Sequence, residues 1–367
     1  MDTPYVCTVT RMHAPIKGRG TADNREGRFE SRHIEPAEDG WWRDEEIRAP
    51  ATEVRAEIAR SIISRNTSPD IPFNQSINPY RGCEHGCIYC FARPTHAYLN
   101  LSAGLDFETK LFYKANAAEL LERELSRRHY RPDVIHLGAS TDPYQPIERE
   151  HRITRGILEV LCRFRHPVTL ITKSHLVLRD LDLLQDLAKD RLCLVMVSLT
   201  TLDSDLKRGL EPRAPSPGAR LKAIAGLAEA GIPVGVLAAP MIPALNDHEL
   251  ERILEAAADA GAAQAAYVLL RLPYEVKELF ETWLHDHVPL RAEHVLSRIR
   301  AMRDGELNDS RFGTRFRGQG VEAKLLSQRF EIACRRLKMH RRRQLTLNTE
   351  AFRVPVTSGG QLSFDGL

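Results

Sequence analysis

Six short and nearly continuous apolar runs lie along the middle of the chain, separated by longer amphipathic segments. The apolar runs cover residues 76–80, 134–139, 168–172, 192–199, 233–238 and 265–272. The helix-like segments cover residues 117–129, 148–164, 178–189, 216–230 and 246–260. Apolar strands that alternate with amphipathic helices are typical of a parallel sheet covered by helices. The pattern predicts an α/β fold, as a partial (β/α)6 TIM-type barrel or a doubly wound open sheet, and periodicity alone does not separate these two.

One of the predicted helices, over residues 216–230, carries clear start and stop signals. Ser216 fits an N-cap, Pro217 fits the first turn, and Gly231 fits the position after the last turn. Its apolar face is predicted to comprise Leu221, Ile224, Ala225 and Ala228. The sequence therefore predicts one face of this helix against the sheet.

The two ends of the chain differ from this central region. Residues 1–50 are rich in Gly, Pro and charge without an apolar period, which predicts an extended arm anchored by Trp41 and Trp42. A short helix is predicted over residues 52–63. The predicted division is an N-terminal arm with this helix at 1–73, the barrel at 74–275, and a helical, basic C-terminal extension at 276–367.

Basic side chains are concentrated in the last part of the chain, although the net charge is only +3. Residues 329–343 contain seven Lys and Arg residues and a single acid, Glu331. Upstream, Arg311, Arg315 and Arg317 alternate with Phe312 and Phe316. Basic residues interleaved with aromatic ones bind phosphates and stack on bases, so nucleic acid is one expected partner. A solvated helix face is the alternative.

Composition and hydropathy place few further limits on this chain of 367 residues. No apolar stretch approaches the roughly 20 residues of a membrane span. The N-terminus has no apolar signal core, so we expect a cytoplasmic protein without membrane contact. Four of the cysteines are scattered and form no second ligand set: Cys7, Cys162, Cys193 and Cys334.

The most specific chemical signal is a loop with three cysteines directly after the first predicted strand. Cys83, Cys87 and Cys90 are spaced C-x3-C-x2-C, and Tyr89 precedes the last of them. Three thiolates on one loop can hold three corners of an iron–sulfur cube and leave one iron open. The alternatives are a zinc knuckle completed by His85 or His96, and a disulfide that leaves one thiol unpaired.

This cysteine spacing with an aromatic residue before the last cysteine resembles the radical S-adenosylmethionine (radical SAM) enzymes. The resemblance implies a partial barrel and a [4Fe–4S] cluster on Cys83, Cys87 and Cys90. It implies that SAM chelates the open iron and is cleaved to a 5′-deoxyadenosyl radical. It further implies an electron-donating partner such as flavodoxin or ferredoxin. In a barrel the chemistry lies at the carboxyl ends of the strands, where this loop is expected.

Polar residues follow several of the other predicted strands and are candidate SAM contacts. In radical SAM enzymes the second strand ends in a motif that binds the SAM amino group, and Ser140, Thr141 and Asp142 occupy that place here. A turn is the alternative for these three residues. Lys173 is placed to pair with the SAM carboxylate. The remaining candidates are Ser198 near ribose or methionine, Arg213 as a charge contact, and Tyr89 packed on adenine.

Residues 74–273 resemble one branch of the superfamily, the proteins grouped with spore photoproduct lyase. The motifs that carry this resemblance are residues 78–83, 89–93, 141–142 and 171–174. The chain also resembles a bacterial family of radical SAM proteins related to "DNA repair photolyases", including residues 17–20 and 28–30 of the arm. Spore photoproduct lyase carries a hydrogen-donating cysteine where this chain has Ala139. Repair of the spore lesion by that mechanism is therefore not expected.

The sequence as a whole predicts a radical SAM enzyme whose substrate it does not identify, with nucleic acid as one candidate. Two alternatives stay open. One is a zinc-stabilised nucleic-acid-binding protein without catalysis. The other is a radical SAM enzyme that modifies protein or RNA.

Overall fold

The computed structural model describes residues 16–22, 24–25, 27–29, 50–341 and 346–355. Its main sheet runs in the order β11-β10-β9-β8-β7-β6-β3-β2. The strands of this sheet are β2 Ser64–Arg65, β3 Gln75–Ile77, β6 Ile135–Leu137, β7 Val168–Thr172, β8 Cys193–Ser198, β9 Val234–Met241, β10 Gln264–Leu269 and β11 His340–Arg341. All neighbouring pairs are parallel except β2 with β3. Successive strands lie side by side, as in a partial (β/α) barrel that stays open at its edges.

Helices connect the strands and cover the sheet. They are α1 Leu105–Thr109, α2 Ala117–Leu125, α3 Glu148–His151, α4 Ile153–Arg163, α5 Leu181–Lys189, α6 Ser204–Leu210, α7 Pro217–Glu229, α8 Leu250–Asp259, α9 Val276–His287, α10 Ala292–Ala301 and α11 Gly320–Arg336. Short segments of 3₁₀ helix cover Arg93–Leu99, His175–Asp180, Asp247–Glu249 and Pro289–Arg291. The main core lies between this helical layer and the sheet.

The six predicted strands are confirmed, all of them within three residues at each end. The predicted 148–164 helix is divided into α3 and α4 because Arg152 has a positive φ of 51°. Ser216 caps α7 as predicted, with its hydroxyl accepting from the Ala219 amide. The predicted buried face of α7 is wrong by one residue along the helix. The side chains buried against the sheet are those of Arg220, Ala223, Ile224 and Leu227.

The predicted helix over residues 52–63 is wrong. Glu53–Glu57 is strand β1, which pairs in parallel with β5 Lys110–Lys114, and β5 pairs in turn with β4 Tyr80–Arg81. Glu, Arg and Ala favour helix locally, but Val54 packs against the cluster of Tyr80 and Leu111. Strand pairing with apolar cover outweighs the local propensity here.

Two arginines of the predicted basic C-terminal segment bind acids of a neighbouring helix. Arg329 donates to both carboxylate oxygens of Glu251 at 2.8 and 2.7 Å, and Arg336 pairs with Glu255. These pairs attach α11 to α8. Arg342, Arg343, the Arg341 side chain, Cys7, Trp41 and Trp42 lie outside the described residues. The described helices include none that is long and apolar enough to cross a membrane.

Candidate active site

The three-cysteine loop lies beyond the carboxyl end of β3, the first parallel strand of the main sheet, as predicted. The Cys83 amide donates to the Phe107 carbonyl at 2.9 Å, and the Cys90 amide donates to the Cys87 carbonyl at 3.2 Å. Gly86 turns the loop with a positive φ of 65°. None of the three thiols forms a disulfide, Cys83 and Cys87 are buried, and Cys90 is partly exposed. The loop therefore holds three free thiols in a fixed backbone frame.

A single fully buried arginine organises this loop. Arg93 donates to the backbone carbonyls of Gly86, Cys87, Ala103 and Gly104 and to the carboxylate of Glu108. Its ion pair with Glu108 spans 2.7 Å, and both side chains have 0% exposure. Hydrogen bonds with charged donors are stronger than neutral ones, so Arg93 strongly restrains the path of the loop.

Residues 16–22 form a segment, here named the N-terminal strap, that lies against the outside of the loop. The Gly20 amide donates to both carboxylate oxygens of Glu108, at 2.9 and 3.2 Å. Arg19 donates to the Glu108 carbonyl at 3.1 Å. A Cβ on Gly20 would lie 1.8 Å from the Gly86 carbonyl oxygen. Only glycine permits this approach, so the residue at position 20 fixes how closely the strap packs on the cluster loop.

Gly20→Ala is expected to detach the strap, because the added methyl group meets backbone atoms that cannot rotate away. Tryptic cleavage after Arg19 should then become at least several-fold faster in the folded protein. Gly218→Ala is the matched control, since a Cβ at Gly218 meets nothing within 4 Å. Equal cleavage rates in both variants and the parent would show that the strap does not depend on this contact.

The donor set of the loop fits an iron–sulfur cluster. Burial raises the pKa of Cys87 to about 12, and burial together with the neighbouring Asp142 raises the pKa of Cys83 well above its usual value. These thiols hold their protons until a metal displaces them. Across the described ranges no three His, Cys, Asp or Glu side chains converge on a position for a single metal ion. A cube makes no such demand, because each thiolate binds a different iron.

The two histidines considered as zinc ligands are held elsewhere. His85 is buried with Nδ1 3.4 Å from the Asp142 carboxylate, and burial lowers its pKa to about 4. His96 places Nε2 3.0 Å from the Lys110 carbonyl and packs edge-on against Phe107. Neither ring joins the three thiols.

The second-strand motif at residues 140–142 divides into bonded and unbonded groups. Asp142 accepts from the Tyr144 amide at 2.9 Å, from the Thr172 hydroxyl at 2.7 Å and from the Lys173 amide at 2.7 Å. Thr141 donates to the Tyr80 carbonyl at 3.1 Å. These bonds join neighbouring strand ends. The half-buried Ser140 hydroxyl has no hydrogen bond to any described residue, so it is the member of the motif left available for a ligand.

A buried carboxylate, Glu211, joins the other predicted contacts into one polar network. Glu211 accepts from Tyr89 and Arg220, and from the Thr200 hydroxyl at 2.7 Å. The Lys173 ammonium lies 3.6 Å from Glu211 and donates to the Ser198 hydroxyl at 3.0 Å. Burial alone raises the pKa of Glu211, but Arg220 and then Lys173 lower it below its ordinary value. The Glu211 carboxylate is therefore ionised beside the cluster loop, and its charge is balanced by the Arg220 guanidinium and the Lys173 ammonium.

Sequence reasoning missed Glu211 as the centre of this network. A signal was present, because Arg220 stands three and four residues before Ala223 and Ile224 on the buried stripe of α7. An arginine on an apolar stripe needs a buried acid as its partner. The acid in the preceding loop is Glu211.

Arg213 lies outside the polar network. Its guanidinium pairs with Glu84 of the cluster loop, and its amide donates to the His85 carbonyl at 3.3 Å. Glu84 is fixed on its other side, because its amide donates to the Gln145 side chain at 2.8 Å. Arg213 therefore supports the loop, and its predicted contact with SAM stays a prediction.

Three free thiols on a loop at the carboxyl edge of a parallel sheet are the arrangement that the resemblance to radical SAM enzymes implies. Residues 77–257 match the family model described as the Radical SAM superfamily, so this segment is a radical SAM domain. The family binds a [4Fe–4S] cluster and S-adenosylmethionine. The expected fold class and cofactors are thereby confirmed at the level of the family.

Two curated proteins are similar in sequence to part of this chain. An uncharacterised protein of Mycobacterium tuberculosis is 39% identical over 216 residues, which cover 58% of this chain and 64% of the relative. An uncharacterised protein of Methanocaldococcus jannaschii is 32% identical over 173 residues, or 47% and 62% of the two chains. The chain thus spans somewhat less than two thirds of each relative.

A solved structure titled "Spore photoproduct lyase complexed with dinucleoside spore photoproduct" is similar in fold. Its TM-score is 0.59 at 15% sequence identity, and the match covers 78% of this chain and 81% of that chain. At this identity the similarity concerns the fold alone.

Proposed function

We propose that the chain is a radical SAM enzyme that cleaves SAM reductively and abstracts hydrogen from a substrate. The observation that carries this proposal is the loop of three free thiols beside the buried network of Tyr89, Glu211 and Lys173. Cys83, Cys87 and Cys90 would hold the cluster and leave one iron for the amino and carboxylate groups of SAM.

A cluster held by Cys83, Cys87 and Cys90 would supply one electron for cleavage of a carbon–sulfur bond of SAM. The products would be methionine and a 5′-deoxyadenosyl radical, which would take a hydrogen atom from the substrate and become 5′-deoxyadenosine. The electron comes from a reducing protein partner, for which flavodoxin or ferredoxin is suited. A reducing compartment protects such a cluster, which supports a cytoplasmic location.

The residues of this chain bind and orient SAM. Lys173 binds the carboxylate, since an ammonium has three donors and the described contacts use one of them as a hydrogen bond. Ser198 holds Lys173 in place, and the free hydroxyl of Ser140 accepts from the SAM amine. Tyr89 presents a ring whose position is set by its hydroxyl on Glu211 and Thr200. Thr141 and Asp142 fix the strand ends beneath these groups.

The direct test is anaerobic reconstitution followed by addition of SAM and dithionite. The parent protein should bind about four irons and four sulfides per chain and release 5′-deoxyadenosine, measured by liquid chromatography. Cys87→Ala should lose both properties. Cys162→Ala is the matched control, because Cys162 lies on α4 outside the loop, and it should keep both.

The zinc-stabilised nucleic-acid-binding alternative predicts a different result. Purified protein would then contain zinc alone, unaffected by anaerobic handling, and no 5′-deoxyadenosine would form. That outcome would overturn the proposed function.

A further inference from the structure

Two arginines and three phenylalanines form a stacked row beside the cluster loop, here named the Arg–Phe ladder. Its members in spatial order are Phe91, Arg271, Phe316, Arg315 and Phe312. The Arg271 guanidinium carbon lies 5.6 Å from the Phe91 ring centre and 4.9 Å from that of Phe316. The Arg315 carbon lies 4.8 Å from the ring centres of Phe316 and Phe312. The ladder begins at the residue after Cys90, at the mouth of the barrel.

The ladder rests on a rigid support. Arg303 is buried and donates to the carbonyls of Thr314 at 3.2 Å and Arg315 at 2.9 Å, and also to that of Leu270. The last residue of β10 donates its amide to the Phe316 carbonyl at 2.9 Å. The loop that carries Phe312 and Phe316 is therefore fixed against the carboxyl end of β10.

The charges of the two ladder arginines are balanced differently. Arg315 donates to both carboxylate oxygens of Asp70, at 2.6 and 2.8 Å. Arg271 makes no hydrogen bond or ion pair with any described residue, and its Nε is buried without a partner. Burial lowers the pKa of Arg271, in keeping with a cation held without an acid. This guanidinium is available for an anion from outside the chain.

The two ends of the ladder expose flat aromatic faces. Phe91 is 47% exposed and Phe312 is 59% exposed, whereas large apolar side chains are normally covered. Bases of single strands stack on such rings, and arginines placed between the rings add cation–π attraction and contacts to phosphate. In a duplex the bases are paired and stacked on one another, so their faces cannot stack on the phenylalanine rings.

We propose that the Arg–Phe ladder binds single-stranded nucleic acid, with bases on Phe91 and Phe312 and a backbone phosphate on Arg271. This inference rests on the proposed function, to which it adds a substrate class, and places the bound strand next to Cys90. It also locates nucleic-acid binding beside the cluster loop, where Phe312 of the C-terminal region joins Phe91 and Arg271, rather than on α11, where Arg329 and Arg336 already hold acids.

The test is fluorescence anisotropy of the full chain without SAM, over a salt series. The probes are labelled 12-mers of single-stranded DNA, single-stranded RNA and the DNA duplex. At least one single strand should bind tenfold or more tightly than the duplex. Phe312→Leu should weaken this binding by about tenfold, since one stacking contact is lost. Arg271→Gln should weaken binding and reduce the slope of log K against log salt by about 0.7, the value for one phosphate.

Two further variants distinguish loss of a ladder contact from a general effect of replacing an arginine. Arg271→Lys keeps the charge and loses the planar stack, so the salt slope should persist while affinity falls. Arg163→Gln removes an exposed arginine of α4 that pairs with Glu122, and should bind as the parent does. Circular dichroism and thermal unfolding check that each variant folds.

Equal binding of duplex and single strands would overturn the inference. An unchanged salt slope in Arg271→Gln, or binding of an acidic peptide in place of the oligonucleotides, would also overturn it. Formation of 5′-deoxyadenosine without oligonucleotide binding would refute the ladder alone. Oligonucleotide binding that depends on Arg271 without any 5′-deoxyadenosine would refute the enzyme and leave the ladder.

Discussion

Replacing Arg220 with methionine is expected to lower the free energy of unfolding by about 3–5 kcal/mol. Arg220 and Glu211 have 1% and 0% side-chain exposure, and the guanidinium also donates to the Ser198 carbonyl at 3.0 Å. Without Arg220 the Glu211 carboxylate stays buried with only Lys173, Tyr89 and Thr200 to compensate its charge. Urea unfolding followed by circular dichroism measures the loss.

The double variant Glu211→Gln/Arg220→Met is the control for this prediction. A neutral amide costs far less to bury than an unpaired carboxylate, so the double variant should be more stable than Arg220→Met. If the double variant is instead the less stable one, packing of the arginine rather than pairing of charge explains its burial.

Replacing Arg93 with methionine is expected to lower the free energy of unfolding by a similar amount, about 3–5 kcal/mol, and to prevent binding of the cluster. The variant leaves Glu108 without its ion pair and removes the donors to four carbonyls around the cysteines. Thiols on a loop without this restraint no longer keep the spacing that a cluster needs. Iron and sulfide analysis after anaerobic reconstitution, with urea unfolding of the metal-free protein, measures both effects.

Arg81→Met provides the comparison for Arg93→Met. Arg81 donates to both carboxylate oxygens of Glu57, at 2.7 and 2.8 Å, but its side chain is 44% exposed. Surface pairs of this kind contribute at most about 1 kcal/mol. An Arg93→Met protein that retains a full cluster would show that the cysteines fix the loop without the arginine.

The parallel strands and the position of the cysteine loop could be predicted from the sequence because both are local signals. A buried strand of a parallel sheet must be apolar throughout, and the loop follows the first such strand. The helix prediction for residues 52–63 failed because their partner strand, β5, lies some fifty residues later in the chain and contributes the apolar cover. No local pattern contains that pairing.

The polar network around Glu211 could not be predicted from the sequence for a related reason. Tyr89 and Glu211 are separated by 122 positions, and only the order of the strands brings them together. Asp142 illustrates the converse, since its position was predicted but its oxygens bind the neighbouring strand end. A motif fixes where a side chain stands, whereas its hydrogen-bond partners depend on the completed fold.

The contact of Gly20 with Glu108 has a thermodynamic consequence. Glu108 contacts both the N-terminal strap and Arg93, which restrains the cysteine loop. Docking of the strap and binding of metal by the loop are therefore linked equilibria. If a docked strap raises the affinity of the loop for its metal, the metal raises the occupancy of the docked strap by the same factor. Loading the loop with iron and sulfide would then slow tryptic cleavage after Arg19 in the purified protein.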